Sequence, residues 1–98
     1  MKYNFEWDPV KAKTNLKKHK ISFEEAAEVF LDPLHLTIPD DEHSDTEERW
    51  VTLGNTKAHK VHLVVHTFLT YYDDQVTIRI ISARPATRHE QRQYEDLG

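Results

Sequence analysis

Ninety-eight residues with no cysteine and a net charge of −4 make a single domain, 1–98, and they exclude a disulfide framework and any thiolate chemistry. A chain this short buries only roughly two thirds of its unfolded surface, so Trp7, Trp50 and the phenylalanines must carry much of a compact core. No apolar run approaches the ~20 residues that cross a bilayer, and the opening M-K-Y-N-F-E-W-D has no signal-peptide core, so a cytoplasmic protein with no membrane partner is expected.

The first predicted element, Tyr3–Trp7, alternates aromatic and polar residues as a strand does. Asp8-Pro9 is a helix start, with the aspartate as N-cap and the proline at the first helical position. This helix should run to about His19, with Ala12 and Leu16 inward and Lys11, Asn15 and Lys18 on a polar stripe. Ser22-Phe23-Glu24-Glu25 is a capping box opening a second helix that Asp32-Pro33 stops. Leu34–Ile38 reads as a strand, and the loop Pro39–Glu48 follows with six acids. Three more strands are predicted at Arg49–Gly54, Val61–Leu69 and Gln75–Arg84, separated by short turn-like stretches that favour antiparallel hairpins. Thr87-Arg88-His89-Glu90 is a second capping box and starts a terminal helix. The order β-α-α-β-β-β-β-α predicts an α+β fold with helices packed on a small antiparallel sheet.

Charge is unevenly divided along this order. Residues 1–20 hold six lysines against two acids, residues 21–48 hold ten acids and no base, and residues 49–98 hold seven bases against five acids. Such asymmetry predicts a basic working surface and a separate acidic segment. The basic side chains concentrate in V-T-I-R-I-I-S-A-R-P-A-T-R-H-E-Q-R-Q-Y, Val76–Tyr94, with arginines at 79, 84, 88 and 92. Guanidinium is planar, permanently charged and able to donate two parallel hydrogen bonds, which matches phosphate. Salt bridges to Glu90, Glu95 and Asp96 are the plain alternative.

If the hairpins centre at 57/58 and 72/73, Arg49, His66 and Arg79 form a row across three strands, with Trp50, Leu63, Val65, Ile78 and Ile80 on the other face. An imidazole between two guanidiniums could exchange a proton while the arginines hold a phosphate. A slip of one residue breaks the row. His19, beside Lys17, Lys18 and Lys20, could join an RNA-binding ridge or simply cap its helix. His59 and His62 do not converge on a strand, so no metal site or cofactor is expected, and no Gly-rich phosphate loop is present.

Four segments, taken together, resemble the BrnT family of toxins. They are F-E-W-D-P-x-K-A-x-x-N-L-x-K-H from Phe5 to His19, I-S-F-E-E-A-A-E-V-F-L-D-P from Ile21 to Pro33, E-R-W-V-T-L-G from Glu48 to Gly54, and the tail from Ile78 to Tyr94. The resemblance spans nearly the whole chain in order. It implies a RelE-like fold and the toxin half of a type II toxin–antitoxin pair: a metal-independent endoribonuclease that arrests translation. It also implies a BrnA-type antitoxin, a ribbon-helix-helix protein through which the complex binds DNA and represses its own promoter.

The expected reaction is attack of a ribose 2′-hydroxyl on the adjacent phosphate, giving a 2′,3′-cyclic phosphate and a 5′-hydroxyl. Arg79 and Arg84, with Arg49, are expected to stabilise the phosphate, His66 to act as acid or base, and Tyr94 to stack on a base or donate a proton. Lys11, Lys18, His19 and Arg88 are expected to bind the RNA backbone. The competing expectation is a non-catalytic module that docks a DNA-binding partner and acts mainly in autorepression.

Overall fold

In the computed structural model, which describes residues 2–41, 47–72 and 74–97, the chain forms β1 (Lys2–Glu6), α1 (Pro9–His19), α2 (Phe23–Ala27), β2 (Leu36–Pro39), β3 (Trp50–Asn55), β4 (Val61–Tyr72), β5 (Gln75–Pro85) and α3 (Arg88–Leu97). A 3-10 turn, Glu28–Leu31, continues α2. The α+β class and the element order are those expected from the sequence. Residues 42–46 of the predicted acidic loop lie outside the described residues.

The helix signals act where the sequence puts them. Asp8 caps α1 by accepting from the Val10 amide at 2.8 Å, with Pro9 following. Ser22 caps α2 by accepting from the Glu25 amide at 3.0 Å. Thr87 and Glu90 exchange both capping bonds, at 3.1 and 2.9 Å, and so satisfy two amides at the start of α3.

The strand order is β1-β5-β4-β3-β2. Strands β2 to β5 form the expected antiparallel meander, but β1 joins the β5 edge in parallel, pairing Lys2–Glu6 with Gln75–Arg79. Among the described residues the outer edge of β5 has no strand partner beyond Arg79, and α1 packs against it. Asn15 does this chemically. Its amide nitrogen donates to the carbonyls of Ala83 and Ile21, at 2.9 and 3.1 Å, and its oxygen accepts from the Ala83 amide at 3.1 Å. The side chain, a peptide in miniature, stands in for the missing strand. The polar stripe predicted on α1 is therefore corrected: Asn15 is buried, and Leu16, expected inside, is exposed.

Both faces of the sheet are covered, which splits the predicted core. Ile78, Ile80, Ala83 and Val64 pack with Ile21, Phe23, Ala26, Val29 and Phe30 on the α1–α2 face. Leu53 and Leu63 pack with Ala86 and Tyr94 under α3. Ile78, Ile80 and Ala83 share a face because β5 carries one extra residue near Ile81, where the β4–β5 register shifts. On the first face the 3-10 turn presses on β3 at Gly54, where a β-carbon would lie 2.8 Å from the Val29 carbonyl oxygen.

Candidate functional site

The register decides which of the chemistry-bearing residues meet. Thr67, not His66, stands opposite Arg79, and His66 stands opposite Trp50 and Ile80. Each hairpin is displaced from the predicted register, so the expected Arg49–His66–Arg79 row is corrected. The arginines nevertheless keep one face. Arg79 alternates with the buried Ile78 and Ile80 and so points away from the α1–α2 core, as does Arg49, the neighbour of Trp50. Arg49 and Arg84 line one cleft of about 360 Å³ on this face, together with Asp40, Val51, Leu63, Val65, Ile81 and Ser82.

The three guanidiniums differ in what they touch. Arg79 is exposed and, among the described residues, makes no ion pair. Arg49 approaches Glu47, with Nε 3.6 Å from Oε1. Arg84 is held in a fork by Glu90, with Nη1 and Nη2 donating to the two carboxylate oxygens at 2.8 and 2.9 Å. That bond raises the Arg84 pKa and holds the Glu90 carboxyl down at about 2, where the fork outweighs burial and the Thr87 amide adds to it. Glu90 thus caps α3 and clamps the end of β5 at once.

Around the uncovered edge of β5 lies a second cleft of about 340 Å³, where Lys11, Lys18 and His19 of α1 face Ile81 and Ser82. Ile81 and Ser82 also line the arginine cleft, so the two clefts share a wall. Lys11, Lys18 and His19 of the predicted backbone-binding ridge and Arg49 and Arg84 of the predicted phosphate face therefore line one basic track around the β5 bulge, and Arg79 lies outside both clefts. Arg88 opens α3 and is exposed.

His66 and Tyr94 lie elsewhere. His66 is fully buried on the α1–α2 face, with Nε2 2.7 Å from the Thr52 hydroxyl and its ring between Phe30 and Phe68, each 4.9 Å away. Burial pushes its pKa down to about 4. It has no surface from which to act on RNA, and the expectation of an acid–base role is corrected: alternation along β4 turns residue 66 inward with residue 64. Tyr94 is also buried, and its hydroxyl donates to Asp32 Oδ2. Burial, then the bond to Asp32, pushes its pKa up to about 12. Asp32 also accepts from the amides of Asn55 and Leu34, at 2.8 and 2.9 Å. Burial works to raise the Asp32 pKa, but these bonds outweigh it and the net direction is down. Tyr94 therefore latches α3 to β3 and the 3-10 turn, and its ring is not available for stacking.

The largest cleft, about 610 Å³, was not legible in the sequence. It is lined by Lys20, Glu25, His59, Lys60, His62 and Tyr94 among others, with His19 at the junction with the α1 cleft. Buried His62 lies with Nε2 2.7 Å from Glu25 Oε2. Reading His59 and His62 only as metal ligands hides this arrangement, because His62 pairs with a helix rather than with its strand neighbour. Among the described residues no three histidine, aspartate or glutamate side chains converge to hold a metal ion.

Residues 7–90 match the model of a family described as the ribonuclease toxin BrnT of type II toxin–antitoxin systems. The fold is similar to the 1.1 Å crystal structure of the Brucella abortus ribonuclease toxin BrnT, with a TM-score of 0.63 and 22% identity over 90% of this chain and 100% of that one. At that identity the likeness is one of fold. No curated protein matches the chain significantly.

Proposed function

The chain belongs to the BrnT family of ribonuclease toxins of type II toxin–antitoxin systems, and from that membership we propose that this protein is itself an active endoribonuclease. It cuts RNA without a metal ion, arrests translation in the cytoplasm, and is neutralised by a BrnA-type ribbon-helix-helix antitoxin, through which alone it reaches DNA. The observation that carries this reading is the basic track around the β5 bulge, with Arg49 and Arg84 on one side of Ile81–Ser82 and Lys11, Lys18 and His19 on the other.

A polyanion is held by such a track through local cations, whatever the sign of the net charge. Lys11, Lys18 and Arg88 bind backbone phosphates. Exposed Arg79, with Arg49 and Arg84 on the same face, stabilises the negative charge that builds on phosphorus as the 2′-oxygen attacks and the 5′-oxygen leaves. His19, on the wall between two clefts, supplies the imidazole for proton transfer.

Purified protein incubated with RNA in excess EDTA should leave 2′,3′-cyclic phosphate ends, and induction should stop growth as cellular RNA is cut. Cleavage that stops in EDTA and returns with a divalent ion would overturn the metal-free mechanism. Intact RNA under every condition, with antitoxin binding retained, would leave the chain as a docking module.

A further inference from the structure

The phosphate track leaves the largest cleft without a role. That cleft lies where the end of α1, the β3–β4 hairpin and α3 meet, and His19 joins it to the track. Lys20, His59, Lys60 and Glu95 are exposed around it, whereas Glu25 is half-buried and His62 is buried. Cations with two carboxylates among them do not suit a bare phosphate, which Glu25 and Glu95 would repel. They suit a nucleotide, whose phosphates meet the lysines and whose base carries hydrogen-bond donors.

The chemistry of this cleft lies in the Glu25–His62 bond; Lys20 and His59, both at φ 61°, close α1 and turn the β3–β4 hairpin at its rim. His62 Nδ1 is buried and meets no partner among the described residues. A proton on Nε2, donated to Glu25, leaves Nδ1 as a bare acceptor and fixes the carboxylate in one orientation. A carboxylate has about four lone-pair sites, so Glu25 keeps acceptor capacity toward the cleft.

The geometry points to a guanine-recognising subsite, in which Glu25, oriented by His62, accepts from the N1–H and N2–H groups of a guanine next to the phosphate being cut. This rests on the ribonuclease reading for its substrate class. Guanine alone among the four bases offers two adjacent donors on its Watson–Crick edge; adenine and cytosine offer an amino group beside an acceptor, and uracil one imino group between two carbonyls. Lys20 and Lys60 then hold the flanking phosphate, and the imidazole of His59 stacks on the exposed base.

Titration of the purified protein with guanosine, adenosine, cytidine and uridine 3′-monophosphates, followed by the imidazole NMR signals, tests the assignment. The guanosine nucleotide should bind roughly tenfold or more tightly than the other three, the discrimination expected of a two-bond base contact. Inosine 3′-monophosphate, which lacks the N2 amine, should fall between. Glu25→Gln should level the four affinities, and Lys60→Ala should weaken all of them alike. Equal affinities in the unaltered protein, or a guanine preference that survives Glu25→Gln, would overturn the subsite. Should Glu25→Gln fail to fold, the comparison of guanosine, inosine and adenosine nucleotides on the unaltered protein decides alone. Cleavage mapping separates the two readings: guanine binding with no cut RNA keeps the subsite and removes the nuclease, and RNA cut without regard to guanine does the reverse.

Discussion

Arg79 and Arg84 carry the same guanidinium five residues apart, yet their surroundings give them different work. Arg79 is exposed and has its donors facing solvent, so Arg79→Ala should leave the melting curve unchanged and lower RNA cleavage roughly a hundredfold or more, the usual cost of removing one preorganised charge donor. Arg84 is already bonded twice to Glu90. Arg84→Ala should lower stability by about 1 kcal/mol, as for a partly exposed pair, and loosen α3 as well as slow cleavage. Equal cleavage by Arg79→Ala and the unaltered protein, at matched folding, would take Arg79 out of the site. His66 shows the same dependence on surroundings through pH. Its folded pKa of about 4 lies below the ordinary 6.5. The neutral form is the one the core accepts, so its contribution is fully present above pH ~6.5 and is lost as pH falls toward 4, by about 3 kcal/mol in all. Urea titrations across that range should show this decline, and His66→Leu should flatten it; a decline of unchanged depth in the variant would assign it to other groups. Neither outcome is legible from residue type alone, because exposure and partners come from elements distant in sequence.

At the scale of elements the sequence is a good guide where the physics is local and a poor one where it is not. Caps at Asp8, Ser22 and Thr87 act between residues two or three apart, and all three helices begin where they predict. Register is different. A bulge near Ile81 leaves no mark in a run of β-branched residues, yet it sets which side chains share a face. The same blindness covers Asn15, which reads as one more polar residue on a lysine-rich helix until the end of β1 exposes the β5 edge beside it. That burial makes a sharp pair of predictions. Asn15→Ala strands the Ala83 amide and two carbonyls in the interior and should cost about 3 kcal/mol, at ~1–3 kcal/mol for each unsatisfied group with partial relaxation. Leu16→Ala, on the exposed side, should cost under ~0.5 kcal/mol. Chemical denaturation of the two variants reads the difference, and a reversed order would place α1 about its axis differently.

For the whole molecule, the segregation of charge sets how a protein partner can silence it. An antitoxin that leaves the basic track open leaves RNA access open, so it should cover Arg79–Arg92 and the Lys11–His19 face with acids or carbonyl groups, because burying unpaired guanidiniums is costly. Hydrogen exchange with and without antitoxin should show protection there. Protection restricted to residues 34–49, with none on β5 or α1, would mean that inhibition works at a distance from the track. The parallel pairing of β1 with β5 has a further consequence, one of timing. Lys2 pairs with Gln75, so closing this edge joins segments more than seventy residues apart and must wait until β5 has been made. The track lies on the strand that this late step completes. A chain still emerging from the ribosome therefore has the lysines of α1 without Arg79 and Arg84 set beside them, and the order of synthesis delays the full track until β5 has been made.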